Sequence, residues 1–380
     1  MRIFRHWIMS CIVLFVLPLL VISLPGCSKK LPETKEIKIG AILPLTGSAA
    51  PYGENAKRGI ELAISEINSK GGINGRLIKV IYEDSKTDPK EAVSALNKLF
   101  SLEGIRLIIG DINSSGVLAM APIAEKNKII LLSPGASNPK ISEAGDYIFR
   151  NWHSDAIEGQ LDAEYAYSEM GWKTAAVLYV DAAYGVGLAE TFRKVFNTLG
   201  GKTIAFEAYA QDATDMRTQI SKIITGKPAG LYLPGWPKEM SVALKQLKEI
   251  GSGIPVLSAQ GFDDPSIIDL AGNAAEGVVF SVPETPDPNN EIVRSFNKSY
   301  RSRYGQEPGV CSASGYDALR IFAYAMGKTG YNIEHVQKIL ASLKNFPGAD
   351  GPITFNEHGD LVKPFAFKVV RNQEFVDVAN

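Results

Sequence analysis

Strand-like and helix-like segments alternate through almost the whole chain, and that alternation narrows the fold more than any other feature. Ile37 to Leu43 reads as a buried strand, and Ala56, Ile60, Ala63, Ile64 and Ile67 follow at helical spacing until Lys70-Gly71-Gly72 stops the helix. Leu77 to Tyr82 is the next strand, and Ala92, Val93, Leu96, Leu99 and Phe100 mark the next helix. Leu107 to Ile109 and Ile129 to Leu132 are short apolar runs flanking a polar-capped segment, 114–127. Strands separated by helices form βαβ units, whose product is a parallel sheet covered on both faces.

The pattern then restarts. Ala175 to Val180 reads as a strand and Gly185 to Leu199 as a helix, and the alternation continues through Ile204–Tyr209, Met216–Ile224, Gly230–Pro234, Glu239–Ile250 and Pro255–Ser258. Tyr52-Gly53 and Tyr184-Gly185 each follow the first strand of their half and lead into a helix, so the halves read as two lobes of one architecture. Prolines then crowd Val282 to Pro288, as expected where a chain passes between lobes. Two helices are expected next, one through Leu319, Phe322 and Met326, the other through Val336, Ile339, Leu340 and Leu343. They need a sheet to cover, so the chain is expected to return to the first lobe. It is then expected to cross again near Gly351 and finish in a hairpin of Ile353–Phe355 and Phe365–Val370. The expected division is 37–154 plus 285–352 for one lobe and 155–284 plus 353–380 for the other.

The first residues carry an address rather than a fold. Arg2, Arg5 and His6 precede the apolar run Ile8 to Leu24, and Leu24-Pro25-Gly26-Cys27 ends it just before Ser28, Lys29 and Lys30. A basic head, an apolar middle and a small-residue exit describe an export signal, and the cysteine makes it a lipoprotein signal. Cys27 is then the lipidated first residue of the mature chain, with 1–26 removed and 27–36 a linker. The apolar run barely reaches bilayer length and contains Pro18, which weighs against an uncleaved anchor. Either way the remainder is expected on the periplasmic or cell-surface side of a bacterial membrane. The 380-residue chain is too long for one comfortable core even without that leader. Its net charge of −1, with both signs spread along the chain, argues for no nucleic-acid partner. Of the three cysteines only Cys311 lies beyond the leader region, so no disulfide framework is available, and a buried, inert thiol is expected there.

Catalytic signatures are mostly absent. No G-x-G-x-x-G follows a strand, and no phosphate-cradling loop, H-E-x-x-H or G-x-S-x-G elbow occurs. His153, His335 and His358 stand at unrelated spacings. A binding protein without metal or cofactor is therefore expected, not an enzyme. Two loops at expected strand ends are more informative. Gly110 to Gly116 brings Ser114 and Ser115 to a helix start, where hydroxyls and free backbone N–H groups can hold a carboxylate. Ser133-Pro134-Gly135-Ala136-Ser137-Asn138-Pro139 is a stiff turn offering hydroxyls and carbonyls. In open α/β sheets ligands sit beyond the carboxyl ends of the strands, where both loops belong, although capping and turn chemistry alone also account for them.

These residues resemble the type I periplasmic binding proteins, in particular the branched-chain amino-acid (Leu/Ile/Val)-binding group, from about Ile37 to Val370. The motifs that carry the likeness are Gly40 to Gly47, Tyr52-Gly53, Ile67 to Gly75, Ser133 to Pro139, Phe149-Arg150 with Asp155, and Tyr184-Gly185. The resemblance implies two Rossmann-like lobes joined by three hinge crossings, with an amino acid or small carboxylate held between them. It also implies a monomer that delivers the solute to the permease of an ATP-driven importer. It assigns Ser114, Ala136 and Ser137 to the ligand's carboxylate and ammonium, Tyr52 and Tyr184 to aromatic cleft positions, and Trp236 to a lid. Where many members place an acidic residue against the ammonium, this chain has Gln260, and Asp181 or Asp263 would have to substitute. An unpaired buried charge is costly, so an alternative is a ligand without an ammonium, such as an aromatic acid or short amide. A cysteine pair of some members falls here near Thr87 and Asn113 and is missing. Trp152 and His153 are expected at the first crossing, and Arg150 is expected to brace it against a carboxylate.

Overall fold

The computed structural model describes residues 36–284, 286–361 and 363–378; the leader, Cys27 and most of the linker lie outside them. The first half builds a five-stranded parallel sheet from β1 (Glu36–Leu43), β2 (Leu77–Asp84), β3 (Leu107–Gly110), β4 (Ile130–Ser133) and β5 (Ile148–Arg150), in the order β2-β1-β3-β4-β5. The register sets Gly40 beside Ile108, Leu107 beside Ile130 and Leu131 beside Ile148. β3 and β4 are buried on both faces, which explains their unbroken apolar sequences. Helices α1 (Ala50–Ser69), α2 (Pro89–Glu103) and α3 (Ser114–Lys126) connect the strands. α2 begins where Asp88 accepts from the N–H groups of Lys90 and Glu91, with Pro89 at the first helical position. Ile42, Leu96, Leu99, Ile108, Val117 and Leu131 form the core under α2 and α3.

α4 (Asp155–Ser168) opens the second half, and its sheet comprises β6 (Thr174–Val180), β7 (Lys202–Tyr209), β8 (Gly230–Tyr232), β9 (Val256–Ser258) and β10 (Val279–Pro283). Helices α5 (Ala183–Thr198), α6 (Arg217–Thr225), α7 (Pro237–Glu249) and α8 (Ser266–Ala271) connect these strands. The remaining elements are α9 (Glu291–Tyr304), α10 (Ser312–Thr329), α11 (Ile333–Ala341), β11 (Phe346–Gly348), β12 (Gly351–Ile353), β13 (Phe365–Arg371) and β14 (Glu374–Asp377). The second sheet runs β14-β13-β10-β9-β8-β6-β7, parallel from β7 to β10 and antiparallel at β13 and β14. The result is the α/β fold of two lobes that the alternation implies.

α10 returns to the first half and crosses α1 closely. A Cβ on Gly59 would stand 1.9 Å from the carbonyl oxygen of Ser312, so only glycine permits this approach.

Three expectations about the C-terminal third are corrected. A third helix, α9, precedes the two expected; Val293, Phe296 and Tyr300 form its buried stripe, inconspicuous among charged and polar neighbours. No terminal hairpin of Ile353–Phe355 with Phe365–Val370 forms. β12 pairs with β11, whereas β13 pairs with β10 and β14, strands that turn chemistry alone does not announce. The chain also stays with the first sheet past Gly351. Arg150 bridges to Asp360 in parallel, Arg150 N–H donates to Gly359, and Leu361 N–H donates back to Arg150, so the passage to the second sheet lies between Leu361 and Phe365.

Candidate functional site

The loops at the carboxyl ends of both sheets meet around a small chamber of about 40 Å³. The first half's contribution is built loop by loop. Asp84 at the end of β2 accepts from the N–H groups of Leu45 and Thr46 and from the Thr46 hydroxyl, which fixes the approach to α1 and the place of Tyr52 in its first turn. Asn113 caps α3 by accepting from Ser115 N–H, and its amide donates to the Thr87 carbonyl at 3.1 Å. Asp111 accepts from the N–H groups of Ile112 and Asn113, and burial pushes its carboxyl up to about 7.

The third loop is folded by serines. Ser133 Oγ accepts from Ala136 N–H and donates to the Asp111 carbonyl, at 2.8 and 2.6 Å. Ser114 Oγ accepts from the N–H groups of Ser137 and Asn138, at 3.1 and 3.2 Å. These bonds aim Ser137 into the chamber.

From the second half come Tyr184 in the first turn of α5, Trp236 at the cap of α7, and Gln260 and Gly261 just after β9. The Tyr184 and Trp236 rings lie nearly parallel, 19° apart, with centroids 6.2 Å apart. Gly261 is held from both halves: its carbonyl accepts from Tyr52 Oη at 2.6 Å, and its N–H donates to Tyr184 Oη at 3.1 Å. Burial raises both phenols well above the ordinary tyrosine range, so they stay neutral. Further bonds cross the cleft, among them one from the Gln211 amide to the Thr87 carbonyl at 3.1 Å. Ser115 Oγ accepts from Ala183 N–H, and the Asn138 amide donates to the Ala183 carbonyl.

Of the residues singled out from sequence, Tyr52, Ser137, Tyr184, Trp236 and Gln260 line the chamber together, and Trp152 joins them. Ser114, Ser115 and Ala136 do not line it; they lie beneath the wall, where their polar atoms tie loops and halves together. Neither substitute carboxylate is available to a ligand there. Asp263 is paired with Lys368 at 3.3 Å, and Asp181 is exposed outside the chamber. Among the described residues no Asp, Glu, Lys or Arg side chain lines the chamber. The carboxylate behind the wall is Glu158, which accepts from Gln260 N–H at 2.6 Å and Ser281 Oγ at 2.9 Å, with His153 Nε2 3.2 Å from its other oxygen.

Sequence reading missed Ala49, Ile112, Val310 and Cys311 in the wall, and Glu158 behind it. Cys311 is buried, and burial raises its thiol far above the ordinary value, as befits an unreactive group. Arg150 does brace the first crossing: Nε donates to Asp360 at 2.6 Å in a buried pair, and His153 packs edge-on against Phe365. Among the described residues no three His, Cys, Asp or Glu side chains are grouped to hold a metal ion, and no helix is long and apolar enough to cross a membrane.

A family model described as periplasmic binding protein matches residues 36–374. The chain belongs to the periplasmic binding protein family. This periplasmic binding protein is 30% identical over 336 residues to Leu/Ile/Val-binding protein homolog 1 of Brucella suis, a match covering 87% of this chain and 88% of that one. Its fold superposes on a leucine-binding protein of Thermotoga maritima with a TM-score of 0.85 at 29% identity, covering 90% of this chain and 98% of the other. A branched-chain amino acid transporter substrate-binding protein of Streptococcus pneumoniae, solved with isoleucine, gives 0.82 at 26% identity, covering 90% and 97%.

Proposed function

We propose that this chain is the extracytoplasmic receptor of an ABC importer. It captures an amino acid or related small carboxylate between its lobes and presents the closed form to a permease. The observation that carries the reading is the chamber itself: Tyr52 and Ser137 from one sheet's loops face Tyr184, Trp236 and Gln260 from the other's across a gap that interdomain hydrogen bonds already close. The names of relatives that bind leucine and isoleucine support the amino-acid class. Anchoring through lipid on Cys27 rests on the leader sequence, and a monomer suffices for the site. We place the lobes at 37–154 with 286–361 and 155–284 with 365–378, which the return of α10 to α1 and the pairing of β13 with β10 support. A sensory role, with the closed form read by a membrane signalling protein, uses the same chamber.

A second reading is favoured by one observation: no carboxylate is free in the chamber to meet an ammonium. A neutral amide at Gln260 accepts a hydrogen bond but leaves a buried charge uncompensated. On this reading the solute is an aromatic acid or short amide. Thermal shift and calorimetry with leucine, isoleucine, valine, benzoate and short amides test both, because a ligand bound to the folded state alone raises the melting temperature. Saturable binding of leucine tighter than benzoate supports the amino-acid class, and the reverse order supports the second. Binding of neither class removes the receptor reading, and conversion of any candidate, seen by mass spectrometry, would make the protein an enzyme.

A further inference from the structure

In this closed form the chamber alone is small. About 40 Å³ suits ordered water, whereas sites for small ligands typically occupy about 300–1,000 Å³. Trp152, Gln260, Val310 and Cys311 form one of its walls, and the other side of the same four residues faces a second cavity of about 450 Å³. That groove runs between the halves on the side of the Pro283–Pro288 passage. Val293 and Phe296 of α9 border it from one half and Phe375 of β14 from the other.

Two of its carboxylates are already paired. Asp263 is paired with Lys368 at 3.3 Å, and Asp350 with Lys363 at 2.6 Å. Glu284 and Glu307 stand exposed at its rim. What the groove offers an occupant is more apolar than polar, with Val293, Phe296 and Phe375 in its lining, and it adjoins the aromatic chamber. Trp152 and Gln260 are side chains in this partition, and a solute spanning both spaces requires one of them to turn aside.

We infer that the cleft is a two-compartment site for an elongated solute, with the polar head in the aromatic chamber and an uncharged tail in the groove beyond Trp152, Gln260, Val310 and Cys311. This rests on the receptor reading above and extends it to a ligand class: carboxylates or amino acids with a long apolar chain. Asn297 on α9 and Ala313 on α10 line the groove without lining the chamber. A large side chain at either position fills the tail compartment and leaves the head compartment intact.

The test is calorimetry on the intact protein with two homologous series, acetate to octanoate and alanine to 2-aminooctanoate. In one series affinity is expected to rise about fourfold for each added methylene through the long members, the scale of burying one such group. In Asn297→Trp and Ala313→Trp that rise is lost while the short members bind as before. Two variants are used so that poor folding of one leaves the other decisive. An affinity that peaks at a short chain, or a rise unchanged in both variants, overturns the inference while the receptor reading survives. If no member of either series binds, both fall together.

Discussion

Tyr52→Phe removes one of the bonds that shut the cleft. The ring stays, so any solute meets the same aromatic face; what disappears is one hydroxyl, whose 2.6 Å bond to the Gly261 carbonyl joins the two halves. A neutral hydrogen bond contributes about 1 kcal/mol net, and its removal leaves the Gly261 carbonyl without its Tyr52 donor. The Tyr184 hydroxyl still holds the Gly261 N–H, so the loop keeps its place within its own half. The cost therefore falls on closure rather than on folding. If the open form predominates without ligand, apparent affinity scales with the fraction of closed protein, and about 1 kcal/mol lowers that fraction about fivefold. Calorimetry with leucine and with benzoate should show about fivefold weaker binding of whichever solute the wild type takes. If the closed form predominates instead, affinity changes little and small-angle scattering should show a larger ligand-free radius. Unchanged affinity together with an unchanged radius would refute the claim that this bond holds the halves together.

Trp236→Ala removes a 5% exposed ring that packs on Tyr184 in the chamber wall. It should weaken binding by about 2 kcal/mol, or about thirtyfold, as truncating a buried aromatic anchor does, and equal affinity by calorimetry would end its role as a lid. Arg150→Met removes the cation from the buried Asp360 carboxylate, which keeps only the Ser142 hydroxyl as a side-chain donor, and the donor to the Asn138 carbonyl. Denaturant unfolding should register a loss of about 3–5 kcal/mol, and a loss below about 1 kcal/mol contradicts the bracing role. Asp111 is fully buried with its carboxyl raised from 3.8 to about 7, so the folded protein keeps a proton that the unfolded chain gives up near pH 4. Stability contributed by that proton is present below pH 4 and is lost as pH rises to about 7. Asp111→Asn, which titrates nothing, should gain on the wild type across that window by up to about 4 kcal/mol. A difference between the two proteins that stays flat from pH 4 to pH 8 rules this out.

What was legible in the sequence was whatever the chain settles locally. Periodicity exposed the strands that are buried on both faces, because β3 and β4 have no solvent side to interrupt their apolar runs. The loops from Gly110 and Ser133 were legible for a related reason: capping and turn chemistry is written in adjacent residues, and the same chemistry sets them at the strand ends. Yet that chemistry could not say which hydroxyls would face a ligand. Ser114 and Ser137 look alike in sequence, but Ser114 turns its oxygen to the N–H groups of Ser137 and Asn138 and so becomes the support of its neighbour's position. Val310 and Cys311 were beyond reach because they arrive at the chamber from a segment that has already visited the other half. Nothing near them in sequence marks that return; what fixes it is the glycine-tight crossing of α1 and α10, a contact between residues about 250 positions apart. The same logic explains Gln260. Sequence shows an amide where an acid was expected. Only the fold shows that a carboxylate lies behind the wall, where Glu158 accepts from the Gln260 N–H and so fixes the shape of the site.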